Sequence, residues 1–272
     1  LEYYPVGQAE EARKVWQDVA GEEGTFHIKP VYNHCDYQLR ILAYQNGSLA
    51  AKSCWRLIRC GYVPGVVVNY IHPDDYTFDR SGRSPASPSI VKLENGTFLA
   101  SHDIFWGNGG QNLSHVFRSD DGGISWRFVS EVSPCFWGKL FTHGGKLYML
   151  GMSHEYGALN LFESSDEGQS WSAPAEILPE GNRDVGGPHK APMPVLEHHG
   201  RLWTGIDFGS WSLGGHASGA VSIDVNGNLM DPKEWSCTGF IKQDATWKDA
   251  PIGNARGTLE GNLVAGKDGE VY

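Results

Sequence analysis

Residues 119–126 read Ser-Asp-Asp-Gly-Gly-Ile-Ser-Trp, and residues 164–171 read Ser-Ser-Asp-Glu-Gly-Gln-Ser-Trp. Both fit Ser-x-Asp-x-Gly-x-x-Trp, and the second phrase starts 45 residues after the first, at 164 against 119. A repeat period of that size marks a β-propeller blade or a solenoid unit. The phrase reads as a folding device. Ser119 and Ser164 open it. Asp121 and Asp166 can accept from nearby backbone N–H groups and fix a turn. Gly123 and Gly168 supply a backbone conformation that other residues resist. Trp126 and Trp171 can plug the gap between neighbouring sheets, with the indole N–H finding an acceptor. A structural role is therefore assigned to these eight residues.

Hairpins precede each phrase. Residues 89–93 and 97–102 flank Asn95-Gly96, and 114–118 and 127–132 flank the first phrase, giving four strands. The next set is 139–142, 146–152, 158–163 and 175–178. A third is 192–197, 201–206 and 219–223, followed by a degenerate corner from Asp224 to Trp235. A fourth starts at 259–265 and turns at Lys267-Asp268-Gly269. The equivalent turn glycines Gly96, Gly145, Gly200 and Gly269 lie 49, 55 and 69 residues apart, so the drift sits in inserted loops. The expected fold is all-β, a propeller of four-stranded antiparallel blades, six- or seven-bladed if complete. The blades do not comfortably close a ring of 4–8, so the sequence reads as a truncated propeller. Residues 66–272 are assigned to the blades. Residues 1–65 form an N-terminal lead-in: a short helix over 8–20 by composition, then a hairpin at Asn46-Gly47. A further apolar strand is expected at 66–71.

The bulk numbers agree. There are 35 glycines and 10 tryptophans, as an all-β chain with many turns and aromatic plugs would need. Lys and Arg number 22 against 32 Asp and Glu, a formal charge of −10, which argues against nucleic acid as a partner. No apolar run approaches the roughly twenty residues of a membrane span. Five cysteines contain no Cys-x-x-Cys pair, so no zinc site is expected, and at least one thiol lacks an intrachain partner. No cofactor is expected, although a structural calcium ion would leave no signature. Three Asn-x-Ser/Thr sequons, at Asn46, Asn95 and Asn112, matter only in a secreted eukaryotic chain. A secreted or periplasmic location is expected ahead of a cytoplasmic one.

The Asp phrases, each with its preceding hairpin, resemble the Asp-box (BNR) repeats of the sialidase superfamily of β-propellers. The resemblance extends over residues 84–272. It implies a propeller and, since that superfamily includes hydrolases, lyases and binders, leaves the reaction open. Sialidases carry three arginines that clamp the substrate carboxylate, the first in an Arg-Ile-Pro motif. The corresponding stretch here is Ser87-Pro88-Ser89-Ile90, without arginine. The arrangement also looks like propeller polysaccharide lyases that use His and Tyr on acidic glycans.

Strand direction sorts the remaining residues. The starts of first strands and the ends of second strands share one rim, and the Asp phrases lie at the other. At the ends of second strands stand His102-Asp103, His154-Glu155-Tyr156 and Asp207; Ser-His-acid occurs twice, at 101–103 and 153–155. At the starts of first strands stand Trp137, His189-Lys190 and Glu260, and the loops leading there carry Arg83, Arg183 and Arg256. Arginine suits two-point grip on a carboxylate, and Trp106 and Trp137 can stack on a sugar face. His102, Asp103, His154, Glu155, Tyr156 and His189 are the candidate catalysts. The others are candidate substrate contacts. For each residue alone the plain alternative stands: a satisfied strand-end histidine, a solvated loop arginine, a rim aromatic, or a Ser-His-acid repeat that only preserves a structural hydrogen bond.

Three readings lead, beside a photosystem-assembly or sorting-receptor type of Asp-box protein, which the resemblance also allows and which would not need this convergence of His and Arg. The first is a sialidase-like glycoside hydrolase acting on a carboxylated glycan, with Asp103 or Asp207 as acid and Tyr156, activated by Glu155, as nucleophile. The second is a uronate lyase, in which His or Tyr removes the proton α to the carboxyl group. The third is a non-catalytic carbohydrate-binding propeller, for which His102, Tyr156 and His189 need not share a pocket.

Overall fold

The computed structural model describes residues 1–18, 25–28, 32–75, 84–105, 110–244, 246–248 and 257–272. Leu1–Ser84 with Phe105–Gly109 is one compact unit, and Pro85–Ile104 with Gly110–Tyr272 is another. This division falls after residue 84, later than the 65/66 boundary read from the sequence.

The first unit holds β1 (Glu2–Pro5), β2 (Arg13–Lys14), β3 (Asp36–Arg40), β4 (Leu42–Gln45), β5 (Ser48–Lys52) and β6 (Arg56–Arg59). Four of these form an antiparallel sheet in the order β2-β1-β3-β6, and β4 and β5 pair separately. Asn46 and Gly47 join β4 to β5 with φ of 51° and 76°. Two successive left-handed residues make the mirror-image turn that matches strand twist. Two expectations need correction here. In place of the helix expected over 8–20, the described residues 8–18 hold one 3-10 turn, Ala9–Glu11, and then β2. Gln8 provides no side-chain cap, and the Leu1 and Val15 backbones bond each other instead. Residues 66–71 form no strand. Val66 and Val67 stay exposed, because β propensity without a partner edge does not make a strand.

The second unit contains three antiparallel sheets. β7 (Ser84–Lys92), β8 (Phe98–Phe105), β9 (Ser114–Ser119) and β10 (Arg127–Val132) form the first. β11 (Phe136–His143), β12 (Lys146–Met152), β13 (Leu159–Ser164) and β14 (Ala175–Leu178) form the second. In both, neighbours in sequence are neighbours in the sheet. The third comprises β15 (Gly187–His189), β16 (Leu196–His198), β17 (Arg201–Ser210), β18 (Gly215–Asp224) and β19 (Ser236–Cys237). Its first strand is broken in two: β15 pairs with the far end of β17 and β16 with its start. The fourth hairpin is reduced to a single antiparallel bridge, Ala265 to Val271, so the strand expected over 259–265 is absent.

The first two sheets pack face to face. Leu99, Val116 and Val132 from one meet Leu140, Leu147, Met149 and Phe162 from the other, and Cys135 from the connection between β10 and β11 joins them. Complete burial of a Leu, Met or Phe side chain stabilises by about 1.5–3 kcal/mol. The alternation of β8 and β9 supplies this face: Leu99 and Val116 point into it, and so do Asp103 and Ser114 at the strand ends.

Both Ser-x-Asp-x-Gly-x-x-Trp phrases fold into the same corner. The Ser119 and Ser164 hydroxyls donate to Asp121 and Asp166 at 2.8 and 2.9 Å, and accept from Gly123 N–H and Gly168 N–H at 2.8 Å each. Each Asp also accepts from the N–H and the hydroxyl of the serine four residues on, Ser125 or Ser170. Donation by Ser125 holds the Asp121 carboxyl down at about 2. Gly168 has φ 87°, and a Cβ there would lie 3.3 Å from Leu99. Trp171 reaches the neighbouring sheet, donating to Ser130 Oγ at 3.1 Å, whereas Trp126 bonds its own corner at Gly123 O. In the third corner Trp235 donates to Leu229 O, and a 3-10 turn, Pro232–Glu234, replaces the phrase. Asp166→Ala removes an acceptor shared by three donors. It is expected to lower the thermal unfolding midpoint by about 2–4 °C, read by circular dichroism; an unchanged midpoint would contradict the corner's structural role.

Candidate active site

Register fixes which end of each sheet lies opposite the Ser-x-Asp-x-Gly-x-x-Trp phrases. Phe98 pairs with Ser119 at the phrase end, and Asp103 pairs with Ser114 at the other, about 17 Å away for five residues of strand. Asp207 pairs with Ser218 in the same way. Asp103 and Asp207 each stand seven residues after a turn glycine, Gly96 or Gly200, and eleven before the serine. In the middle sheet the equivalent positions are Met152 and Leu159, both buried.

The two aspartates make the same set of bonds. Ser114 donates to Asp103 Oδ1 at 2.5 Å, and the Trp137 N–H to Oδ2 at 2.6 Å. Ser218 donates to Asp207 Oδ1 at 2.9 Å, and the Glu260 N–H to Oδ2 at 2.5 Å. Trp137 and Glu260 have φ of 55° and 57°, a left-handed conformation that non-glycine residues adopt rarely. Each carboxylate thus holds the start of a following segment in a strained conformation, of the kind found where a side chain must be aimed. Burial raises Asp103 to about 6 against its hydrogen bonds.

Lys190 completes the grip on Trp137. The break between β15 and β16 turns this lysine inward, where it is 1 % exposed, and Nζ donates to the Trp137 carbonyl at 3.3 Å. Burial lowers it to about 8, while Cys135 and Asp103 act in the other direction. Both peptide groups of Trp137 are therefore bonded to buried ionisable side chains.

His189 lies opposite Asp207 in the β15–β17 register, with Nδ1 3.9 Å from Oδ2. Its ring is 4.3 Å from Trp137, 5.9 Å from Tyr156 and 4.8 Å from His216. Tyr156 (φ 63°) stacks on His216 at 5.9 Å and 16°. Trp211, 44 % exposed, stands edge-on to His216 at 4.9 Å, and its backbone N–H donates to Tyr156 Oη at 3.3 Å. His189, His216, Tyr156 and Asp207 are all buried. Among the described residues, His189 Nδ1 and both ring nitrogens of His216 have no hydrogen-bond partner. Buried polar atoms are normally paired, and three such nitrogens in one cluster set this group of described residues apart. Burial and then the neighbouring His189 lower the pKa of His216, favouring the neutral ring; burial raises that of Tyr156. The His216 backbone is clasped by Gly257 and Thr258, and a Cβ on Gly257 (φ 93°) would sit 2.1 Å from His216 O.

The structure brings together Trp137, Tyr156, His189, Lys190, Asp207 and, through its backbone, Glu260. Glu155 pairs with Arg183 at 2.9 Å beside Tyr156 in the chain. His102 lies elsewhere, on the other face of β8, stacked on Phe117 at 5.4 Å and near His115. His154 is exposed, 3.9 Å from Glu180. In both Ser-His-acid triplets the histidine Nδ1 bonds the next residue's carbonyl, Asp103 O at 3.0 Å and Glu155 O at 2.9 Å, so that repeat keeps a local bond. Arg83, Trp106 and Arg256 lie outside the described residues. His216 was not singled out from the sequence. Its signal was positional: a second strand's end leads directly to the third strand's start, so both occupy one rim. Among the described residues no group of three or more His, Cys, Asp or Glu is arranged to hold a metal ion, and no helix is long and apolar enough to cross a membrane.

No protein-family model matches the chain, and no curated protein matches it significantly. Solved structures do. An α-L-arabinofuranosidase from Lactobacillus brevis aligns over 88 % of this chain and 74 % of its own, at 16 % identity and TM-score 0.50. An α-L-arabinanase from Penicillium chrysogenum, complexed with arabinobiose, aligns over 66 % and 53 %, at 17 % and 0.46. The Hadza microbial sialidase Hz136 aligns over 72 % and 43 %, at 16 % and 0.46. The chain spans about half the length of the arabinanase. The likeness is one of fold, an all-β propeller built from antiparallel sheets.

Proposed function

We propose that this propeller is a carbohydrate-active enzyme that cleaves a glycosidic bond beside a carboxylated sugar, with His189, His216 and Tyr156 as the reacting groups. The observation that carries the reading is the buried cluster of imidazole nitrogens that have no hydrogen-bond partner among the described residues, walled by Trp137 and Trp211 next to Tyr156.

Within that class the geometry favours β-elimination. Neutral His216 takes the proton α to the sugar carboxylate. The electron pair moves to form the carbon–carbon double bond, the bond to the glycosidic oxygen breaks, and Tyr156 Oη protonates that oxygen. The charged His216 then returns a proton to Tyr156. His189 stabilises the charge developing on the carboxylate, and Arg183 supplies a cation at the rim. Hydrolysis, put first by the sequence, needs carboxylates free to act as acid and base or nucleophile. Asp103 and Asp207 each accept bonds on both oxygens. Glu155, the partner a nucleophilic Tyr156 would need, is engaged by Arg183.

The experiment is a panel of uronate- and sialate-containing glycans incubated with the wild-type chain. Elimination yields a chain end with the new ultraviolet absorbance of an unsaturated uronate; hydrolysis yields reducing ends without it. No cleavage of any member would overturn the enzymatic reading. Because His216 is depressed below the ordinary histidine range, the acid limb of the pH–rate profile is expected below about 6.5. A limb at or above that value would exclude His216 as the base.

A further inference from the structure

Two thiols in the first unit stand opposite one another. β3 and β6 are antiparallel, with Asp36 opposite Arg59, which sets Cys35 opposite Cys60 one step along. The backbone continues the ladder there: Cys60 N–H donates to Cys35 O at 3.0 Å, and His34 N–H to Cys60 O at 2.7 Å. His34 has φ 59°, so residues 34 and 35 together face residue 60 in the manner of a β-bulge. Directly opposed residues of an antiparallel pair have Cβ atoms on one face and Cα atoms about 5.5 Å apart, inside the range of roughly 4.4–6.8 Å that a disulfide spans. Both thiols are free and half-buried. Burial raises Cys60, and the neighbouring Cys35 raises it further, as two adjacent sulfurs would.

The other cysteines do not compete. Cys54 lies six residues from Cys60 along an extended segment, roughly 20 Å away. Cys135 is fully buried, and Cys237 belongs to the other unit.

We propose that Cys35 and Cys60 are a redox-linked pair that closes to a cross-strand disulfide by exchange with a small-molecule disulfide such as oxidised glutathione. One protein thiolate attacks a glutathione sulfur, forming a mixed disulfide and releasing one glutathione. The second thiolate attacks the protein sulfur of that mixed disulfide and releases the other. Two thiols and one oxidised glutathione become one protein disulfide and two reduced glutathiones. The closed bond staples β3 to β6 and encloses the segment that carries the β4–β5 hairpin.

The test treats the full chain with oxidised glutathione, blocks residual thiols by alkylation and maps peptides without reduction. The expected product is about 2 Da lighter at this pair, carries a peptide linking Cys35 to Cys60, and unfolds at a higher temperature than the reduced chain. In Cys35→Ser, Cys60 is expected to retain glutathione, because nothing resolves the mixed disulfide. The proposal is overturned if wild-type Cys35 and Cys60 are each alkylated or each carry glutathione, or if either links to Cys54. Each of these outcomes is read in the wild type, independent of how the variant folds and of any enzymatic activity.

Discussion

His189→Gln is expected to reduce glycan cleavage by about 10²- to 10⁴-fold, the usual contribution of a positioned proton-transfer or charge-stabilising group, with little change in stability. Glutamine keeps most of the packing against Trp137 and Tyr156. Loss of Nδ1 unpairs no group, because it has no hydrogen-bond partner among the described residues. Turnover and the urea midpoint therefore separate. The loss should fall on kcat more than KM, since the interaction belongs to the transition state. Unchanged turnover, or turnover lost only in step with the midpoint, would remove His189 from the mechanism.

Asp103→Ala is expected to destabilise the fold by about 1–3 kcal/mol for each buried donor left without its acceptor. The Ser114 hydroxyl and the Trp137 N–H would both lose their acceptor. Asp103→Asn separates charge from hydrogen bonding. Its amide oxygen can still accept from Trp137 N–H, and its NH2 can donate to Ser114. The pH dependence has a definite sign. The folded pKa of Asp103 is raised to about 6, so its contribution to stability is complete below the unfolded value near 3.9 and is lost as pH rises through 6. Over that window the wild-type chain should lose up to about 3 kcal/mol relative to Asp103→Asn. Lys190, lowered to about 8, acts with opposite sign: its contribution is present above about 10.4 and is lost as pH falls through 8. Urea midpoints of the two chains at pH 4 and pH 7 measure the Asp103 effect. Parallel curves would show that Asp103 does not titrate in this window.

Legibility in the sequence followed the range of the interactions. The corners at 119–126 and 164–171 were readable because each closes its bonds within eight residues. The bounds of β10, β12 and β14 were readable as the runs set off by turn residues and by the two phrases. The helix at 8–20 and the strand at 66–71 misled because local composition favoured them while pairing with β1, or its absence, decided the outcome. Within the site, His189 stood out in a Gly-Gly-Pro-His run without other use for a histidine. His216 was hidden because strand starts after a tight connection were not counted on the rim. The burial of Lys190 was not readable at all: it depends on the break between β15 and β16 and on a carbonyl 53 residues away. The acceptor roles of Asp103 and Asp207 were hidden likewise, since their backbone donors come from segments 34 and 53 residues distant.

The most direct measurement is the ultraviolet absorbance of products from a uronate-containing polysaccharide, followed in parallel for the wild-type chain, His216→Gln and Tyr156→Phe. The arrangement of His189, His216 and Tyr156 predicts an unsaturated chain end from the wild type, lost in both variants while their unfolding midpoints hold. Product formation undiminished in both variants, or cleavage that yields only saturated reducing ends, would contradict it.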